Sequence, residues 1–272
     1  MVLLFDIGGT NMRFARADTL ASFGDPVLVP TPGTYEDAIA EAGTILLTLA
    51  GNEPISSIVG GIAGTLDVRS GTLHASPNMR AWIGKPIVAD IRRLTGADTI
   101  VLKNDADMAA LGEAIHGAGR AYEHVAYLTI STGVGGGLVQ QKQLFEGRYS
   151  VEPGHQFLNT ETRQTLEQLL GGAHLRARYH KEPKLLGPDV YRELAAALAG
   201  GIHNLIQCWA PDVIVLGGSQ TKDIPLDVVR QTVASMNVMF PYVPDIVPAE
   251  LGSTNGLFGA LAYARQLASK VE

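Results

Sequence analysis

Asp6, Gly8, Gly9 and Thr10 fall in one tight corner of the stretch LLFDIGGTNMRFARAD, directly after a short apolar run from Leu3 to Phe5. Glycine lets backbone approach a ligand closely, and successive exposed N–H groups form a concavity that binds anions. Thr10 adds a hydroxyl donor. A carboxylate repels phosphate, so Asp6 makes chemical sense there if a divalent cation sits between the two. Mg²⁺ is held in that way, by one or two carboxylates together with phosphates and water. The structural alternative is an Asp that caps a tight turn. A second corner, STGVGGG at 131–137, supplies the hydroxyls of Ser131 and Thr132 and the open backbone of Gly133, Gly135, Gly136 and Gly137. Its alternative is a flexible hairpin. It lacks the Gly-Lys-Ser/Thr of a Walker loop, and a strand is predicted to follow it where a dinucleotide fingerprint needs a helix. Two such corners suit a nucleotide triphosphate gripped from both sides.

Three further stretches carry chemistry. In KNDADMAALGEA, Asn104 and Asp105 stand where a strand gives way to a helix. An Asp there is commonly an N-cap, but a carboxylate at the carboxyl end of a strand also suits accepting a proton from an attacking hydroxyl. Asp107 is expected to cap the helix or face solvent. VEPGHQF joins Glu152 to His155 across a glycine turn, a pair that can hydrogen-bond a polyol or simply support a turn. His174, His180 and His203 lack metal-ligand spacing. In SPNMRAW, Asn78 can bridge two hydroxyls through its amide or end a loop, and Trp82 reads as core.

The elements that must position these groups follow from periodicity and turn residues. Strands at Leu3–Phe5, Met12–Ala17 and Val27–Val29 form an antiparallel meander. A helix from Thr34 to Leu49 has Thr34 as its N-cap. Then come a strand at Ile58–Gly61, a glycine-punctuated loop to Trp82, a helix over Pro86–Thr95, a strand at Thr99–Lys103, and a helix after Asp105. The order restarts at YLTI and GGLVQQKQL around the second corner. A mostly helical stretch from Leu166 to Trp209, interrupted near Pro183, leads to the strand VIVLGG, a helix from Pro225, a strand near Ile246 and a last helix from Gly256. Each half opens with two strands joined by a Gly-rich turn, a weak internal duplication. It implies two α/β lobes packed through crossing helices, with a ligand cleft between them.

Of 272 residues, 46% are hydrophobic and 18% charged, enough for a buried core and too apolar for a disordered chain. A net charge of −6 gives no electrostatic footprint for nucleic acid or anionic lipid. The single cysteine, Cys208, excludes an internal disulfide and a four-thiolate zinc site. No run reaches the roughly 18 apolar residues of a membrane span, and no basic, apolar leader is visible. The expectation is a cytoplasmic protein.

In this order and spacing, DIGGTNMR, GIAGTLDVRSGTLHASPNMRAWIGKP, NDADMAALGEA, TISTGVGGGLV, EPGHQF, APDVIVLGG and NGLFGALAYA resemble the ROK family (repressor–ORF–kinase) over nearly the whole chain. The resemblance implies the two-lobed sugar kinase/actin-like ATPase (ribonuclease H-like) fold. Residues 1–107, completed by a C-terminal helix at about 256–272, would form the small lobe, and residues 108–255 the large one. It implies ATP- and Mg²⁺-dependent phosphorylation of the terminal hydroxymethyl oxygen of a hexose, and a homodimer. Asp105 matches the catalytic base. Asn78, Asn104, Asp105, Glu152, His155 and, in TLEQLLGG, Glu167 match the sugar contacts. Asp6, Gly8, Gly9, Thr10 and Asn11, with Thr132 and Gly133, match the phosphate and Mg²⁺ corners, Asp6 holding the metal through water. Gly217 and Gly218 match the adenosine pocket. The cysteine-rich zinc motif that most members carry after the Gly-His turn is missing, since Gln156–Thr165 has no cysteine. No structural zinc is expected, and the loop bearing His155 must be ordered otherwise.

Glucose leads the substrate expectations. N-acetylhexosamines, allose, mannose and fructose are alternatives, as is polyphosphate as donor. Three readings from other classes are a sugar-responsive regulator, a sugar-binding protein without catalysis and an actin-like filament or chaperone-type ATPase. The resemblance implies that such a regulator carries a helix-turn-helix ahead of the first strand, which is not expected here, where Met1-Val2-Leu3 lead straight into it and the net charge is negative; the second does not need Asp105 or the phosphate corners, and the third does not need EPGH.

Overall fold

The computed structural model describes residues 1–67 and 70–270. Val68 and Arg69 of the second motif, and Val271 and Glu272 at the end of the expected last helix, lie outside the described residues. In chain order the elements are β1 (Val2–Ile7), β2 (Asn11–Ala17), β3 (Val27–Pro30), α1 (Tyr35–Ala50), β4 (Ser57–Ile62), β5 (Thr65–Asp67), β6 (Thr72–Ala75), α2 (Ile87–Thr95), β7 (Thr99–Asn104) and α3 (Asp105–Ile115). The second half holds β8 (His124–Ile130), β9 (Val134–Gln140), β10 (Gln143–Leu144), β11 (Phe157–Asn159), β12 (Gln164–Thr165), α4 (Leu166–Leu170), α5 (Gly172–Tyr179), α6 (Pro188–Trp209), β13 (Val213–Gly217), α7 (Leu226–Met236), β14 (Asp245–Pro248) and α8 (Asn255–Ser269).

Two five-stranded sheets organise the chain, ordered β3-β2-β1-β4-β7 and β10-β9-β8-β13-β14. Each has an antiparallel meander on one side and parallel strands on the other. The two orders superimpose strand for strand, so the duplication that sequence letters barely carry is explicit in topology. α3 and α8 pack on each other between the sheets, α8 on β1 and β4, α3 on β8 and β9. Their axes approach closely because the crossing is built from glycine. A Cβ on Gly259 would lie 1.7 Å from the Met108 carbonyl oxygen, and one on Gly112 would lie 2.2 Å from that of Asn255. The mixed α/β architecture in two lobes matches the expectation, including lobes joined through crossing helices.

Local signals explain the elements. Thr34 Oγ1 accepts from the Asp37 amide at 3.2 Å, which is the capping predicted for α1. Trp82 is 2% exposed and stacks edge-on with Tyr35 inside the first core, as expected. The region before Trp82 is more ordered than a loop, because β5 and β6 form a hairpin. The helical stretch after Leu166 breaks at Gly171 as well as around Pro183. Among the described residues no helix is long and apolar enough to cross a membrane.

Candidate active site

Between the lobes lie two adjoining cavities of about 870 Å³ and 580 Å³. Thr10, Asn11, Arg13, Asp105, Thr129, Ser131 and Thr132 line both and mark their junction. All six residues matched to sugar contacts, Asn78, Asn104, Asp105, Glu152, His155 and Glu167, line the smaller cavity. Asp6, Gly217 and Gly218 line the larger one, with Thr10, Asn11 and Thr132 shared. Gly8, Gly9 and Gly133 face the smaller cavity. The two glycine corners therefore meet at the junction from opposite lobes, as their place after the first strand of each sheet requires.

Asp105 opens α3 at the end of β7. Its Oδ1 accepts from the Ala106 amide at 2.9 Å. The N-cap is Asn104, whose Oδ1 accepts from the Asp107 amide at 3.0 Å. That division of labour leaves Asp105 free to face the cleft. Desolvation raises its pKa to about 7, with Asp6 and Glu152 adding repulsion against the Ala106 hydrogen bond. Asp6 is raised to about 6 by burial, opposed by Arg13, whose Nη1 lies 3.5 Å from Asp6 Oδ2. α8 enters the site at the same place, since a Cβ on Gly256 would sit 2.9 Å from the Asp6 carboxyl carbon.

Each sugar-side residue is held by its own local device. Asn104 Nδ2 donates to the Gly64 carbonyl at 2.9 Å, so what it offers a ligand is its other amide hydrogen. Glu152 Oε1 accepts from Thr65 Oγ1 at 2.7 Å, a bond between residues 87 positions apart. Burial raises the Glu152 pKa against that bond and the nearby His155. His155 ends a one-turn helix, Pro153–His155, and is exposed on the cavity wall. Thr165 and Gln168 form a capping box on α4, which fixes the turn bearing Glu167. Glu167 Oε2 then accepts from the Val134 amide at 2.9 Å, tying it to the second corner. Asn78 sits against Gly9. On the nucleotide side, Gly218 takes φ +93°, and a Cβ there would lie 2.2 Å from the Ile130 carbonyl oxygen. Only glycine fits that position.

Asp107 departs from the expectation. It neither caps nor faces solvent; it is 6% exposed, and its Oδ1 has no hydrogen-bond partner among the described residues. Burial, with repulsion from Asp105 and Glu152, pushes its pKa well above the usual carboxylate range. The folded state therefore keeps a proton that the unfolded chain releases near pH 4, and stability falls as pH rises from there through the folded pKa. Asp107→Asn is expected to leave stability nearly unchanged at pH 4 and to add about 1–3 kcal/mol at pH 8. Urea titrations at the two pH values measure this.

Sequence reading missed three residues in or behind this site. Arg13 lies opposite Asp6 in the β1–β2 register, and its alternation with Asn11 along β2 is the available signal. Lys222, in the turn after Gly218, lines the larger cavity, and Thr65 holds Glu152 from a hairpin of short strands, three and four residues long. Neither carried a local signal. As for metals, no group of three or more His, Cys, Asp or Glu forms among the described residues. The Asp6 carboxylate at the edge of the larger cavity, beside the first corner, is the residue that would hold Mg²⁺, through water, next to bound phosphate.

Comparison with known proteins places this geometry. The ROK family model matches residues 2–267. Among curated relatives, a glucokinase of Streptomyces coelicolor is 28% identical over 96% of this chain and 96% of its own. An N-acetyl-D-glucosamine kinase of Escherichia coli is 28% identical, covering 94% of this chain and 96% of its own. The crystal structure of a ROK hexokinase from Thermus thermophilus aligns with TM-score 0.84 at 26% identity, over 98% of this chain and 99% of that one.

Proposed function

The chain belongs to the ROK family and is a sugar kinase, and on that premise we propose that it transfers the terminal phosphoryl group of ATP to the 6-hydroxyl of a hexose, glucose first. One observation carries the proposal. Asp105, a carboxylate with pKa about 7, stands where a cavity lined by amide, carboxylate and imidazole groups meets a cavity lined by glycine corners and hydroxyls.

In this mechanism Asn78, Asn104, Glu152, His155 and Glu167 hold the ring hydroxyls and aim the hydroxymethyl oxygen at the junction. Asp105 hydrogen-bonds that oxygen and accepts its proton as the bond to phosphorus forms. The corners at Gly8–Asn11 and Thr132–Gly133 receive the phosphates, and Gly217–Gly218 border the nucleoside. Mg²⁺ on Asp6 would neutralise phosphate charge when bound. Residues 1–107 with the C-terminal helix, and residues 108–255, close on each other so that water is excluded and ATP is not hydrolysed. The 28% identical glucokinase supports glucose, and the equally similar N-acetyl-D-glucosamine kinase keeps the 2-position open. The homodimer and the cytoplasmic setting belong to the same proposal.

A coupled ADP-release assay over a hexose panel tests it, repeated with polyphosphate replacing ATP. Expected is nucleotide turnover that depends strictly on added hexose, with glucose giving the highest kcat/KM. Hydrolysis of ATP at the same rate without sugar would sink the kinase assignment, and a different preferred hexose would revise only the substrate.

A further inference from the structure

The strand that follows the first corner carries two arginines with opposite fates. Arg16 is fully engaged: its guanidinium bonds Asp18 at 2.6 Å, Glu53 at 2.7 Å and the Leu49 carbonyl at 3.1 Å. It serves the fold. Arg13 is three residues earlier on the same strand, yet among the described residues no hydrogen bond holds its guanidinium. Its approach to Asp6 is 3.5 Å, outside good charge-assisted geometry. Its side chain is 22% exposed, in the cleft and not on the outer surface.

Charge then defines what it can do. Asp6, Asp105, Glu152 and Glu167 put four carboxylates around the two cavities. Lys222 lines only the larger cavity and His155 only the smaller. Among the described residues Arg13 is the one cationic side chain lining both, and it shares the junction with Asp105. A phosphoryl group in flight carries its charge on three equatorial oxygens, and a planar guanidinium with five donors matches two of them at once. Asp105 at the junction and Asp6 beside it both repel a transferring phosphoryl, and Arg13 is the side chain placed to offset them there.

We propose that Arg13 contacts the phosphoryl group as it passes from nucleotide to sugar and stabilises its charge. The assignment deepens the kinase reading and rests on it. The step balances as an ordinary transfer. The sugar oxygen–phosphorus bond forms, the bridging phosphorus–oxygen bond to ADP breaks, the proton goes to Asp105, and Arg13 keeps all its protons.

Arg13→Met and Arg13→Lys test this. In hexose-dependent ADP release, Arg13→Met is expected to lose about 10³–10⁵-fold in kcat, the scale of an arginine that stabilises phosphoryl charge. Arg13→Lys should fall between, and added guanidinium should restore part of the Arg13→Met rate, which a packing defect would not allow. Calorimetry adds a readout independent of turnover: Arg13→Met should weaken binding of AMP-PNP while leaving AMP and hexose within about twofold. Unchanged kcat in Arg13→Met, or equal losses for AMP and AMP-PNP, would overturn the assignment. If wild-type protein turns over no hexose, the kinase reading fails, and the ratio of AMP-PNP to AMP affinity still decides whether Arg13 meets the terminal phosphate.

Discussion

Replacing Asp105 with asparagine is expected to lower kcat for hexose phosphorylation by about 10²–10⁴-fold while the protein stays folded. The fold is safe because the asparagine oxygen can keep the bond from the Ala106 amide, and because Asn104 supplies the cap of α3. Stability should hold or rise, since the substitution removes a carboxylate whose burial beside Asp6 is unfavourable. Loss of rate with an equal or higher melting temperature separates a lost base from a damaged site. Binding of the hexose, measured by calorimetry, should change little, because Asn78, Glu152, His155 and Glu167 are untouched.

The same side chain sets a pH dependence. A base works only when ionised, and the Asp105 pKa is about 7, so kcat/KM for the sugar should rise as pH increases through that value. Repulsion from Asp6 contributes to that position. A cation on Asp6 would favour the ionised form, so the limb is expected at lower pH in saturating Mg²⁺. In Asp105→Asn the limb should vanish from the residual rate. A wild-type profile flat from pH 5 to 8 would count against Asp105 as the proton acceptor.

Legibility in the sequence followed the range over which each signal acts. Thr34 with Asp37, and Thr165 with Gln168, are contacts three residues apart, and the helix starts they mark stand where the pattern put them or were readable there. The corners were legible because glycine beside hydroxyl residues is a local statement about backbone. The candidate sugar-side residues, spread from Asn78 to Glu167, line one cavity, and most of them stand at or beside the end of a strand or a helix. What escaped depends on neighbours far along the chain. Thr65 matters through Glu152, 87 positions away. Asp107 has the spacing of a capping residue, yet it is enclosed because β9 packs over α3. Arg13 and Arg16 look equivalent in NMRFAR, and only the partners waiting on α1 and its following turn separate a guanidinium bound into the fold from one that, among the described residues, meets only Asp6.

Replacing Glu113 with alanine is expected to destabilise the protein by about 3–5 kcal/mol, the largest stability loss anticipated for a single residue outside the cleft. Glu113 is fully buried at the last turn of α3. Its Oε2 accepts from the amides of Ala118 and Glu250, each at 3.1 Å, and its Oε1 accepts from that of Leu251 at 3.0 Å. Three N–H groups, two of them in the chain entering α8, depend on one carboxylate. Alanine would leave all three without an acceptor, and the melting temperature should drop by roughly 5–15 °C. Glutamine should cost less, because it keeps two of the bonds and turns its NH₂ toward the third donor. The position joins the end of α3, which begins with Asp105, to the start of α8, which abuts Asp6, so the loss should also loosen the spacing of the two cleft carboxylates and raise KM for nucleotide. Asp107 on the same helix supplies the internal control. Both acids are buried; Glu113 receives three donors, and Asp107 Oδ1 receives none among the described residues. Neutralising the first should destabilise and neutralising the second should stabilise at pH 8. Denaturation of Glu113→Gln and Asp107→Asn side by side reads both signs, and changes of the same sign would show that burial alone, not hydrogen bonding, governs these carboxylates.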